Sequence, residues 1–116
     1  MEITLLAVAL VVLAAVLIGI GLAGLTERLP RNRLVGIRSA SMRDDDERWR
    51  AGHRAASQLL LAAAGPPLLL ALALFVTPPD EIADWFLIYA VVGVVTGGLI
   101  ALAVKRAEAA AEELRR

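Results

Sequence analysis

The sequence predicts an all-α integral membrane protein of three transmembrane helices, and three observations carry that prediction. Residues 3–25, 55–76 and 85–104 contain no charged side chain, giving uncharged runs of 23, 22 and 20 residues in a chain of 116. A hydrocarbon core about 30 Å thick needs about 20 helical residues at roughly 1.5 Å each, so every run is long enough to cross it. Hydrophobic residues make up 59% of the chain, above the roughly half found in soluble domains. Finally, the charged residues cluster between and after the apolar runs instead of interrupting them. The predicted architecture is one membrane domain. It has a cytoplasmic loop-plus-helix between the first and second spans and a helical C-terminal extension.

The first span, residues 3–25, reads as a retained helix and not a cleaved signal. Only Met1 and Glu2 precede it, with no basic residue, and it exceeds the roughly 7–15 residues of a usual signal core. Ala15, Gly19 and Ala23 recur every four residues along it. Small residues at this spacing let membrane helices approach closely, which is where such helices gain packing energy.

Residues 26–54 form the one sizeable polar block. Pro30 holds Leu29 extended and helps to end the first helix. Gly36 is free to take a positive φ in a stretch without helical period. Ser41 followed by Asp44 resembles a capping box, and acidic residues 44–47 favour a helix start, so a helix is expected from near Met42 into the second span. On it Trp49 and His53 share a face, with Met42 and Ser57 roughly in line.

The second span, residues 55–76, contains Pro66-Pro67, which removes two amide donors and predicts a kink near mid-membrane. An external loop, residues 77–84, follows. The third span, residues 85–104, begins with Trp85, Phe86 and Tyr89 at the depth of an aromatic belt and carries Gly93, Gly97 and Ala101 as a second small-residue stripe. Residues 105–116 are strong helix formers and extend the third helix, with Ala107, Ala110, Ala111 and Leu114 as a mildly apolar face toward the connector.

The basic residues set the expected orientation. Eight arginines lie in the block 26–54 and four further basic residues in 105–116, while 77–84 has none and carries Asp80, Glu81 and Asp84. The positive-inside rule places the block and the C-terminus in the cytoplasm and the N-terminus outside. With no Cys and a single His, disulfides, thiolate metal sites and multi-His metal sites within one chain are excluded. No ionisable residue lies inside a span, which disfavours a proton-coupled transporter. No nucleophile–base or paired-carboxylate arrangement stands out, so no catalytic residue and no cofactor is assigned.

From spacing alone the block has two readings. A tryptophan and arginines flanking a span can simply anchor in the interface and contact lipid phosphate. Alternatively, Asn32, Arg38, Trp49 and His53 form a compact functional surface at the membrane boundary. The string P-R-N-R-L-V-G-I-R-S-A-S followed by W-R-A-G-H-R-A-A resembles the signature of the SdpI family of bacterial membrane immunity proteins. The matching residues are Asn32, Gly36, Ile37, Arg38, Ser41, Trp49 and His53. Ser39 and Ser41 stand where that family usually has Thr, Ala40 where Pro is common, and Ala56 near where Gly is often found.

The resemblance implies a non-enzymatic protein in the bacterial cell membrane that protects against a membrane-active peptide toxin. It also implies possible capture of a cytoplasmic winged-helix repressor through those residues, without direct nucleic-acid binding. The competing expectation is a structural or assembly module. It would form homo-oligomers through the small-residue stripes and bind anionic lipid through the basic block.

Overall fold

The computed structural model describes residues 2–30, 36–38, 42 and 45–114. Among them are four α-helices and a 3-10 turn: α1 (Glu2–Leu25), α2 (Asp46–Ala63), α3 (Gly65–Val76), the turn Ile82–Trp85, and α4 (Phe86–Glu113). No strand occurs among the described residues. With α2 and α3 taken together, three helical rods are long and apolar enough to cross a membrane. The protein is an all-α membrane protein.

Its lipid-facing surface is what the composition requires. Leu69, Leu87 and Val94 stay more than two-thirds exposed, and many other large apolar side chains also face outward. In water so much exposed apolar surface would drive association; in a bilayer it meets acyl chains. The long axis measures 55 Å, well beyond a ~30 Å hydrocarbon core, so part of the fold projects past it. Much of that length comes from α4, whose 28 residues span about 42 Å and carry the helix through Lys105 and Arg106 to Glu113.

Packing centres on α2, which lies between α1 and α4, while α3 leans mainly on α1. The main buried cluster joins Ala14 and Leu17 of α1, Trp49, Ala56, Leu60 and Ala63 of α2, and Ala103, Ala107 and Ala111 of α4. A smaller cluster around Ala7, Leu70 and Leu74 closes the opposite end.

The small residues that let helices meet are not the two expected stripes. Inside the chain, Ala15, Gly19, Gly93, Gly97 and Ala101 are exposed and Ala23 is half-buried. A Cβ added at Gly19, Gly93 or Gly97 would meet nothing within 4 Å. The close approach lies on the neighbouring face of α1, where Ala14, Leu17, Gly21 and Gly24 are spaced three and four apart. A Cβ at Gly21 would come 2.8 Å from Leu61 Cγ, and one at Gly24 2.7 Å from the His53 carbonyl oxygen. On α4 the corresponding contacts come from Ala103, Ala107 and Ala111.

The rod containing the two prolines is broken at Ala64, between α2 and α3. Ala64 keeps a right-handed backbone (φ −73°, ψ −22°), and Pro66 and Pro67 follow in the first turn of α3, where missing amide hydrogens are tolerated. At its N-terminal end, α2 does not run on from Met42. Asp45 is extended (φ −154°, ψ 163°) and acts as the N-cap, its side chain accepting the Arg48 amide hydrogen. The helix therefore starts at Asp46 because the Asp45 carboxylate captures one of its orphan donors.

Candidate functional site

The end of α1 fixes where the chain turns out of the first helical rod. Arg28 N–H donates to the Ala23 carbonyl at 2.8 Å and Glu27 N–H to that of Gly24 at 3.2 Å, the paired bonds of a Schellman ending. The left-handed position of this motif usually holds glycine; here it is Glu27, with φ 58°. Its carboxylate lies 3.4 Å from Arg54 Nη1, tying the end of α1 to the start of the second span. The chain then turns so that the Leu29 carbonyl accepts the indole Nε1–H of Trp49 at 3.0 Å.

Trp49 and His53 lie one helical turn apart on the buried face of α2, each only 1% exposed. Their ring centroids are 4.3 Å apart with the planes tilted by 41°. Both nitrogens of the imidazole are engaged: Nδ1 lies 2.8 Å from the Trp49 carbonyl oxygen, and Nε2 lies 2.8 Å from the Ile37 amide nitrogen. A carbonyl can only accept and an amide N–H can only donate. Nδ1 therefore carries the hydrogen and Nε2 is the acceptor, so the site holds a neutral imidazole in a single tautomer.

That bond pins residues 36–38 across the aromatic pair. Gly36 has φ +110°, and a Cβ there would come 2.7 Å from His53 Nε2 and 3.1 Å from the Trp49 ring. Glycine is required twice over, by the backbone conformation and by the space. Ile37 is buried beside the rings, and Arg38, next in sequence, is exposed at the surface.

Below this layer Met42, fully buried, fills the gap left by Gly52, where a Cβ would run into Met42 Sδ and Cε and come 3.0 Å from the Ala107 carbonyl oxygen. The α4 extension thus joins the cluster through Ala107 and Ala111, while Leu114 stays exposed.

Electrostatics around the cluster are local. Asp45 Oδ1 accepts the Arg48 amide at 2.7 Å, and Oδ2 pairs with Arg48 Nε at 2.8 Å. These bonds, the backbone one first, hold the Asp45 carboxyl below its ordinary pKa. Glu27, Arg28, Leu29, Pro30, Asp46, Trp49 and Arg50 line an open cleft of about 400 Å³ between the end of α1 and the start of α2. Among the described residues no group of three His, Cys, Asp or Glu side chains could hold a metal ion.

Of the seven residues singled out from the sequence, five are brought together: Gly36, Ile37, Trp49 and His53 in direct contact, with Arg38 at the edge. Asn32 and Ser41 lie outside the described residues. Sequence reasoning passed over Gly24, Gly52 and the Leu29 carbonyl. The spacing of Gly24 with Ala14, Leu17 and Gly21 was a readable signal for the first. Gly52 and Leu29 owe their roles to contacts from distant segments, which no local pattern announces.

The sequence that builds this arrangement matches a named family. Residues 28–104, or 77 of the 116, match the SdpI/YfhL protein family. The chain belongs to this family. The matched span covers the whole aromatic–glycine cluster, both halves of the broken helix and the membrane part of α4. Comparison with curated proteins and with solved structures gave no match. Membership in the SdpI/YfhL family suggests an immunity-type membrane protein, in a family that is non-enzymatic.

Proposed function

We propose that this SdpI-family chain protects a bacterial membrane against a membrane-active peptide, and that residues 36–38 on the Trp49–His53 pair form its cytoplasmic working surface. The observation that carries this reading is the Ile37–His53 bond, which holds a glycine-dependent loop and the exposed Arg38 in a fixed place. A lipid-anchoring connector would need basic charge but no buried imidazole locked by two backbone groups. Capture of a cytoplasmic winged-helix repressor is the second half of the proposal. The orientation that puts this surface inside rests on the distribution of basic residues.

The test is expression in a peptide-sensitive host, with membrane insertion verified for each variant. Wild-type chain is expected to raise survival. Arg38→Ala should abolish protection, whereas Arg31→Ala and Arg33→Ala should retain it. An inserted wild-type chain that gives no protection against any related peptide would sink the reading. Absence of a winged-helix partner from crosslinked native membranes would remove its second half.

The exposure of Gly19, Gly93 and Gly97 favours one alternative, an assembly module whose outward stripes meet those of a second copy. In that case Gly97→Leu would lower the oligomeric state in bilayers, and loss of function on charge reversal would follow total charge, with no special role for Arg38.

A further inference from the structure

Two unaccounted polar groups lie level with each other, well inside the second and third membrane rods. A helical carbonyl is normally satisfied by the amide three or four residues ahead. For Ala63 those positions are Pro66 and Pro67, neither of which has an amide hydrogen. The next donor, Leu68 N–H, goes instead to the Ala64 carbonyl at 3.2 Å. Ala63 is 0% exposed, so bulk solvent does not reach it.

The second group is the hydroxyl of Thr96 on α4. Thr96 is 5% exposed, and its Oγ1 has no hydrogen-bond partner among the described residues. The helix register places the two groups at one level. Gly52 of α2 abuts the Ala107 carbonyl of α4. Eleven residues onward from Gly52 is Ala63, and eleven back from Ala107 is Thr96, so in this antiparallel pair they share a level. Pro66 and Val92, about one turn farther along, line a common groove and hold the same register.

An unmet acceptor and an unmet hydroxyl in hydrocarbon surroundings each cost a few kcal/mol at the order-of-magnitude level, and a direct bond is not made. A water molecule can bridge polar groups that stand too far apart for direct bonding, and buried waters make two to four such bonds. We infer that Thr96 and the Ala63 carbonyl bind one water molecule at the α2–α3 break. The water donates to Ala63 and is held on its other side by the Thr96 hydroxyl. It satisfies the break that lets α2 serve the cytoplasmic cluster while α3 leans on α1.

The four threonines, Thr4, Thr26, Thr77 and Thr96, make the test tractable. The full chain, carrying ¹³C-threonine and ¹³C-valine in lipid bilayers, is examined by water-edited solid-state NMR. Thr96 is expected to receive magnetisation from water at short mixing times, as Thr26 at the helix end does, while lipid-facing Val94 stays dark. Pro67→Ala restores an amide donor to the Ala63 carbonyl and should abolish the water transfer to Thr96. Unaltered shifts of the other three threonines would verify the fold. A wild-type Thr96 as dark as Val94 overturns the inference, and so does an undiminished water signal in folded Pro67→Ala. Should that variant fail to fold, the wild-type comparison decides alone.

Discussion

His53 Nε2 accepts the amide hydrogen of Ile37 at 2.8 Å across 16 residues of sequence, in a buried bond that joins the connector to the second membrane rod. Because Nδ1 is simultaneously committed to the Trp49 carbonyl, the ring cannot rotate or change tautomer without losing a bond. The first expectation follows from this relationship. His53→Phe keeps an aromatic ring, slightly larger than imidazole, but strands the Ile37 amide, which should cost about 1–3 kcal/mol in a denaturant titration and release residues 36–38 to faster amide exchange. An unchanged midpoint and unchanged exchange would show that the bond holds nothing in place.

Trp49 supplies the second tie. Trp49→Phe removes the Nε1–H donor to the Leu29 carbonyl together with part of the buried ring. A loss of about 1–3 kcal/mol is expected from the lost bond and the cavity together, with protease cleavage increasing near residue 30 while the helices stay intact by circular dichroism. Cleavage equal to wild type would mean that the chain beyond α1 is positioned by something else.

Two glycines on α1 make a matched pair of opposite expectation. A methyl group at Gly24 must push into the His53 backbone, so Gly24→Ala should cost about 1–3 kcal/mol of overpacking and disturb the imidazole. Gly19→Ala meets nothing within 4 Å and should be neutral or slightly stabilising in monomeric chain. The comparison is read from thermal unfolding in detergent. Equal effects would place the α1–α2 contact on the wrong face.

The left-handed Glu27 gives a stabilising prediction. Glycine at that position relieves a conformation that costs an L-residue about 1–2 kcal/mol, against loss of an exposed ion pair to Arg54 worth about 0–1 kcal/mol. Glu27→Gly should therefore raise the unfolding midpoint modestly. A lower midpoint would show that the Glu27–Arg54 pair matters more than the backbone strain.

The Asp45 cap has a pH signature. Its carboxyl is held below the ordinary value in the folded chain, so the stabilisation it gives is present above the unfolded-state pKa and is lost as pH falls through the lowered folded one. Asp45→Asn retains a capping oxygen but no titration. The difference in midpoint between wild type and Asp45→Asn should shrink as the solution is acidified through that range, and a constant difference would contradict the assignment.

Much of this fold was legible because membrane insertion writes itself into long uncharged runs, and those runs correspond to three rods long enough to cross. The resemblance of the 26–54 block also pointed to the family to which the chain belongs. Which small-residue face meets a neighbour inside the chain was not legible, for a physical reason. Gly19 and Gly93 are spaced four apart from their stripe neighbours as Ala107 is from Ala103 and Ala111, while Gly24 lies three from Gly21, and in a chain this rich in Ala and Gly spacing alone does not choose the face. Contact geometry does. The expected start of α2 near Met42 gave way to Asp46, capped by Asp45, because four consecutive acidic residues offer several caps, and only the backbone shows which carboxylate reaches the amide three residues on.

The most direct test of the central claim uses the chain's single histidine, which gives an unambiguous ¹⁵N spectrum from uniformly histidine-labelled protein in bilayers at neutral pH. The locked arrangement requires one neutral form, with Nδ1 protonated, Nε2 bearing no proton, and a through-bond coupling from Nε2 to the Ile37 amide. A spectrum showing an Nε2-protonated ring, an imidazolium or an exchanging mixture of tautomers would contradict the platform on which the functional proposal stands.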